Sequence, residues 1–126
     1  MKKGIVFLAL FFWACFARAE LFSGWTEEEK SWFALSEISQ ILDYQTTRNV
    51  LYQQPKSKGY YEINPLLSRH PNQGKLNIAE VVTVVGDYYL SNWLSHDNRL
   101  LWLQVHTGVE LMIVGHNLSI GARIQF

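Results

Sequence analysis

From Trp25 onward, apolar positions recur at steps of three and four, the spacing of a helix face. Ala34, Leu35, Ile38, Ile41 and Leu42 form one apolar stripe, with Ser36, Glu37, Gln40, Asp43, Thr47 and Arg48 lying off it. Thr26, followed three residues later by Glu29, predicts a capping box, and Glu27 and Glu28 suit the positive end of a helix dipole. The first helix is expected over about residues 25–52, amphipathic and too polar to cross a bilayer alone. Gln45 and Asn49 continue its apolar stripe, so they either find buried partners or mark where the stripe leaves the core.

Residues 53–76 break the period. This connector carries all 3 prolines together with Gly59 and Gly74. Asn64-Pro65 and His70-Pro71 push the residue before each proline out of the α region, which predicts a shaped loop. Asn77, with Glu80 three residues on, is the expected cap of a second helix over 77–94. Along it Glu80, Thr83, Asp87 and Ser91 make one narrow polar stripe on a cylinder of Val81, Val82, Val84, Val85, Tyr88, Tyr89, Leu90 and Trp93. The β-branched run from Val81 to Val85 also suits a strand, but the regular polar stripe decides for helix. Ser95 to Asn98 predicts a turn, with Asp97 or Asn98 capping a third helix over 98–115 that Gly115 stops. Leu118 to Phe126 alternate apolar and polar, which predicts an extended tail. The expected fold is all-α: a three-helix bundle of two apolar helices in an antiparallel hairpin plus one amphipathic helix, with a short extended C-terminal segment.

The N-terminus adds a second kind of segment. Lys2-Lys3, an apolar run from Ile5 to Phe16 and an Ala17-Arg18-Ala19 ending follow the layout of a secretory signal peptide over 1–19, leaving 20–126 as one helical domain. An uncleaved anchor is the main rival. A lipid on Cys15 fits less well, because Phe12-Trp13-Ala14 is a bulky lead-in. Without Lys2, Lys3 and Arg18 the 11 basic residues fall to 8 against 11 acidic ones, a net of −3. No basic surplus points to nucleic acid. Loss of Cys15, the only cysteine, leaves no disulfide or thiolate metal site.

A short turn makes the second and third helices antiparallel neighbours. Residues equidistant from its centre then meet: Asp87 faces His106, and Thr83 faces Glu110. His106 and Glu110 also lie four apart on one helix face. Thr83, Asp87, His106 and Glu110 are therefore expected to form a polar seam whose simplest role is to satisfy itself and set the register of the hairpin. A metal or proton site is the competing role, since His and carboxylates are ligand types. Glu62 and His70 of the connector either stay solvated or fold over the end of the seam. No catalytic residue, metal ligand set or cofactor motif is identified; no G-x-S-x-G, H-E-x-x-H, P-loop or dinucleotide fingerprint occurs.

Asp43-Tyr44-Gln45-Thr46-Thr47-Arg48, followed by Glu62-Ile63-Asn64-Pro65-Leu66-Leu67 and His70-Pro71, resembles a group of small uncharacterised bacterial and phage proteins. Those proteins carry Asp-x-x-Thr, then Glu-x-Asn-Pro, then two apolar helices, and are domains of unknown function predicted to be membrane-associated. The resemblance implies that Asp43, Thr46, Glu62, Asn64 and Pro65, with His70 nearby, belong to one site, and it implies no activity. It extends over about residues 25–121.

The expected function is that of a small exported, membrane-associated helical protein with transmembrane helices in the cell envelope. It acts by helix packing or by binding another envelope protein. The alternative is a soluble periplasmic binding module; a hydrolase or metal site built on Asp87, His106 and Glu110 ranks below both. A terminal barrel strand ending in Phe126 is set aside for want of other alternating segments.

Overall fold

The computed structural model of the chain describes residues 21–54, 59–62 and 67–124. They contain three α-helices: α1 (Glu27–Arg48), α2 (Gln73–Trp93) and α3 (His96–Ser119). A five-residue π-helical turn, Asn49–Gln53, prolongs α1. The helices contact one another as a three-helix bundle, with α3 lying along α1 more extensively than along α2. The expected signal segment, Asn64, Pro65 and the last two residues lie outside the described residues.

Each helix end has an identifiable cause. Thr26 Oγ1 accepts from the Glu29 N–H at 3.2 Å while Glu29 Oε2 accepts from the Thr26 N–H at 2.6 Å, the expected capping box. α2 begins earlier than the expected 77, because Asn72 is the cap and its Oδ1 accepts from Lys75 N–H at 2.8 Å. Asn77 lies inside the helix, where its Oδ1 accepts from the Tyr44 hydroxyl. The turn between α2 and α3 is tighter than expected, with Ser95 at the cap and Asp97 already in the first turn.

The tail needs a larger correction. α3 runs past Gly115, whose Cβ position is open and whose backbone is helical, and Leu118 and Ser119 are still in the helix. The stop is Gly121, at φ 101°. Gly121 N–H bonds to Leu118 O at 3.1 Å and Ala122 N–H to Asn117 O at 2.9 Å. That paired closure needs a left-handed residue at Gly121, which glycine adopts without strain. Of the expected extended segment over 118–126, residues 118–121 are therefore helix and turn, and among the described residues only Ala122 to Ile124 lie beyond the helix.

Burial is inverted relative to the expected stripes. Among the described residues 12 polar or charged side chains are buried against 8 apolar ones, while 16 large apolar side chains are exposed. On α1 the expected core stripe faces out at Ala34, Leu35 and Ile38, and Ser36, Glu37 and Gln40 are the buried ones. On α2, Val81, Val82, Tyr89, Leu90 and Trp93 face out, Trp93 at 81% exposure, while Asp87 and Ser91 face in. The physical reason is that carboxylates, amides and an imidazole on three helices can satisfy one another only where the helices meet.

The apolar core that does form is small and sits at one end. Trp25, Phe33 and Leu103 pack with Phe22, Trp32, Tyr88 and Trp102. Phe22 meets Trp25 edge-on at 5.1 Å between ring centroids, and Trp25 stacks on Tyr88 at 6.1 Å. Among the described residues no helix is long and apolar enough to cross a membrane, which corrects the expectation of transmembrane helices. Glu80 and Asp87 together with Asn77, Thr83, Ser91 and Asn92 in α2, and Glu110 together with Gln104, His106, Thr107, His116 and Asn117 in α3, interrupt the apolar residues too often for a span.

Candidate functional site

Midway along the bundle, side chains from all three helices converge on His106. Its Nδ1 lies 2.9 Å from Ser36 Oγ on α1 and 3.5 Å from Asp87 Oδ2 on α2. Its Nε2 lies 3.2 Å from Glu110 Oε1, one turn along α3. Trp102 stacks on the imidazole at 5.3 Å between ring centroids and donates from Nε1 to Asp87 Oδ1 at 2.5 Å. The expected Asp87–His106 and His106–Glu110 contacts are both present. Thr83 is not part of the seam: it is exposed, and its hydroxyl donates to Ala79 O within its own helix at 2.8 Å.

α1 adds residues that lie off its apolar stripe. Glu37 is 3% exposed, Ser36 and Gln40 are buried, and Asp43 is half-buried. Glu37 faces Asp87 at hydrogen-bonding range, and Asp43 faces Glu110 in the same way. Gln40 Nε2 reaches Glu80 Oε2 of α2 at 3.4 Å. Five carboxyl groups, Glu37, Asp43, Glu80, Asp87 and Glu110, thus surround one imidazole.

Each shift in this cluster follows from its position. Burial, then the neighbouring Asp87 carboxylate, pushes Glu37 up to about 9. Burial raises Asp43 to about 7 and Glu80 to about 8, with Glu110 adding to both. Hydrogen bonds to Asp87 and Glu110 push His106 up to about 10, against the effect of burial. Burial would raise Asp87 too, but bonds from His106 and Trp102 outweigh it and hold its carboxyl below the usual range. The cluster therefore mixes protonated and ionised carboxyls around an imidazolium.

The seam continues into the segment that the sequence had treated as a separate site. Thr47 Oγ1 donates to Asp43 Oδ1 at 2.9 Å, and Thr46 Oγ1 donates to Asp43 O at 3.0 Å. Asn117 Nδ2 of α3 reaches Thr46 Oγ1 at 3.0 Å, Thr47 Oγ1 at 3.1 Å and Asp43 Oδ1 at 3.4 Å. Asp43 and Thr46 are thereby joined through Asn117 to α3, and Asp43 also neighbours Glu110. Of the connector residues, Glu62 is half-buried and its charge bears on Asp43, while His70 is exposed. Glu62 N–H bonds to Arg69 O at 2.9 Å, closing the loop between them, and the Tyr60 hydroxyl donates to Ile120 O at 2.7 Å, tying the connector to the end of α3.

Sequence reasoning missed Ser36, Glu37, Gln40, Glu80, Trp102 and Asn117 as members. One signal was available: Glu37, Gln40, Asp43 and Thr47 recur at three and four residues, making a polar stripe on α1 as regular as the apolar one. Among the described residues no group of three or more His, Cys, Asp or Glu is arranged to hold a metal ion. A cavity of about 360 Å³ lies on the outer face of the first turns of α1, lined by Glu27, Glu28, Ser31, Trp32 and Leu35, not on the seam. No family model, curated protein or solved structure matches the chain.

Proposed function

We propose that the protein is a lipid-associated helical protein, acting through its apolar exterior while the polar seam holds the helices together. One observation carries this: the outer surface has an apolar waist without exposed charge. From Trp32 to Thr47 on α1, from Leu76 to Leu94 on α2 and from Leu100 to Gly115 on α3, no charged side chain is exposed. Leu35, Ile38, Val81, Val82, Leu101, Val105, Val109 and Met112 are. Exposed charge gathers at the two ends, with opposite sign. Glu27, Glu28 and Asp97 lie where α1 begins and α2 turns into α3, and Arg69, Lys75 and Arg123 lie at the other end.

An apolar band of this breadth is larger than ordinary surface scatter and needs cover. Lipid fits it better than a single protein partner because the band continues over all three helices. The proposal asks for contact with acyl chains, as in an interfacial protein, not for a helix that crosses. A hydrolase fits less well. His106 has a carboxylate at each ring nitrogen, Asp87 Oδ2 and Glu110 Oε1, and is pushed up to about 10, so it is held as the cation and is a poor base for the fully buried Ser36.

Flotation of the full chain with phosphatidylcholine vesicles, with and without phosphatidylglycerol, tests this. The chain should rise with both kinds of vesicle, and Val82→Glu with Val109→Glu should move it to the unbound fraction. A chain that stays monomeric and unbound in detergent-free buffer would overturn the proposal, as would a dimer that ignores vesicles.

A further inference from the structure

We propose that the seam is a proton-binding site in which Glu37 and Asp87 share one proton and Asp43 and Glu110 share a second. The starting observation is a set of buried oxygens that nothing donates to. Both oxygens of Glu37 lack a hydrogen-bond partner, as do Glu80 Oε1 and Glu110 Oε2, and Asp87 Oδ2 has only the long contact to His106 Nδ1 at 3.5 Å. Glu37 and Asp87 are 3% and 4% exposed, so bulk solvent does not reach them. Two carboxylates facing each other are both acceptors and repel. One proton turns one of them into a donor and resolves both defects together.

The surroundings decide which member keeps the proton. Asp87 already accepts from Trp102 Nε1 and lies beside the imidazolium of His106, so it is the anion. Glu37 receives no such bond and is the acid, its hydroxyl directed at Asp87. In the second pair Asp43 Oδ1 accepts only from the neutral donors Thr47 and Asn117, whereas Glu110 Oε1 faces the imidazolium at His106 Nε2, a charge-assisted contact that holds an anion more strongly, so the proton belongs on Asp43. The values of about 9 for Glu37 and about 7 for Asp43 agree with that division.

A proton fits this site better than a metal ion. Carboxylate oxygens face both nitrogens of His106, Asp87 Oδ2 at Nδ1 and Glu110 Oε1 at Nε2, and among the described residues no three His, Cys, Asp or Glu are arranged to hold a metal ion. The charge balance also runs on protons. The groups facing one another are Glu37 and Asp43 on α1, Glu80 and Asp87 on α2, and His106 and Glu110 on α3, with Glu62 of the connector acting on Asp43. With all five seam carboxyls ionised against one imidazolium the seam would hold −4; the two shared protons bring it to −2, and a third on the raised Glu80 brings it to −1. Release is simple dissociation: the O–H bond of Glu37 breaks, its electron pair stays on the carboxylate and the proton passes to solvent base. The new charge then repels Asp87 across the α1–α2 contact. Proton occupancy and the seating of α1 are therefore linked.

Infrared spectra of the full-length protein, followed from about pH 5 to about pH 10, test the site without any variant. The carbonyl stretch of a protonated carboxyl should persist at neutral pH and vanish on the alkaline side. Glu37→Gln should remove one component and Asp43→Asn another, each leaving the rest. Absence of any protonated carboxyl at neutral pH in the parent would overturn the assignment. So would stoichiometric uptake of zinc or calcium ions that abolishes the band, since the seam would then be a metal site. Neither result depends on whether the protein binds vesicles.

Discussion

Two buried cations anchor this molecule, and their surroundings differ. Arg99, at the acidic end, has one carboxylate partner and every arm of its fork in use. Its Nη1 donates to Glu29 Oε1 at 2.8 Å, its Nε to Ser91 O at 2.6 Å and its Nη2 to Leu94 O at 2.9 Å. Its guanidinium also lies 4.6 Å from the centroid of the Trp25 ring. Glu29, fully buried, completes its shell with Thr26 and His96 Nδ1 at 3.0 Å. Burial would raise its carboxyl, but these bonds hold it below its ordinary value. His106, in the middle, is one imidazolium among five carboxyls, several with bare oxygens. The Arg99 knot is saturated and locks the α2–α3 turn onto α1. The His106 seam is over-acidic and closes only by holding protons. Equal burial does not imply equal chemistry; the ratio of acceptors to donors decides.

The largest expected effect is at the knot. Arg99→Met takes from the buried Glu29 its guanidinium partner and from two carbonyls a donor, and should cost about 3–5 kcal/mol, nearly unchanged across neutral pH, in denaturant titrations. Arg99→Lys should recover only part of it, because a point charge cannot serve three acceptors in fork geometry. A small, strongly pH-dependent loss for Arg99→Met would erase the distinction between the two regions.

His106→Gln strips the seam of its cation and should also cost about 3–5 kcal/mol at neutral pH. Combined with Asp87→Asn the losses should be well short of additive, since both residues serve one interaction. Additive losses would mean that the two side chains act separately and that the seam is not a unit.

Stability of the parent should fall on the alkaline side. A carboxyl raised on folding binds its proton more tightly when folded. Its contribution is whole below the unfolded value and gone above the folded one. For Glu37 that window runs from 4.5 to about 9, for Glu80 from 4.5 to about 8 and for Asp43 from 3.8 to about 7. His106 adds a loss of the same sign from 6.5 to about 10. Asp87, lowered on folding, acts only at the acid extreme, below 3.8. Each proton held by the folded chain and not the unfolded one is worth up to about 1.4 kcal/mol per pH unit. Thermal scans should show the highest Tm in mild acid and a decline toward pH 9. Glu37→Gln should sit within about 1 kcal/mol of the parent in mild acid and exceed it in alkali, because its amide cannot ionise. A flat profile between pH 5 and 9 would contradict the shared protons.

The smallest effect tests the rim of the knot. Thr26→Ala removes half of the capping box and should cost about 1 kcal/mol, without altering the pH profile. Amide exchange at Glu29 should quicken, while exchange around His106 stays as in the parent.

The helices were readable from the chain, and so was the Asp87–His106–Glu110 trio, because spacing and a short turn set the height of each residue. The capping box at Thr26 and Glu29 was readable because it is a bond between near neighbours. Boundaries that depended on choosing among several candidate caps were not: Asn72 stood where Asn77 was expected, and Gly121 where Gly115 was. Thr83 and Glu110 were expected to meet by height alone, and the closer approach of α3 to α1 gave Glu110 to Asp43 instead.

Local period and capping chemistry, both written in the sequence, determined that there would be three helices and roughly which polar groups share a level. Only the tertiary structure decided which side of each helix faces in. A helix period defines two faces but not which one is inside, and the usual rule that the apolar face goes in assumes water outside. Here Ser36, Gln40 and Asn117 find partners on other helices, as Asp87 does in Trp102, so the polar faces meet and the apolar ones are left outermost.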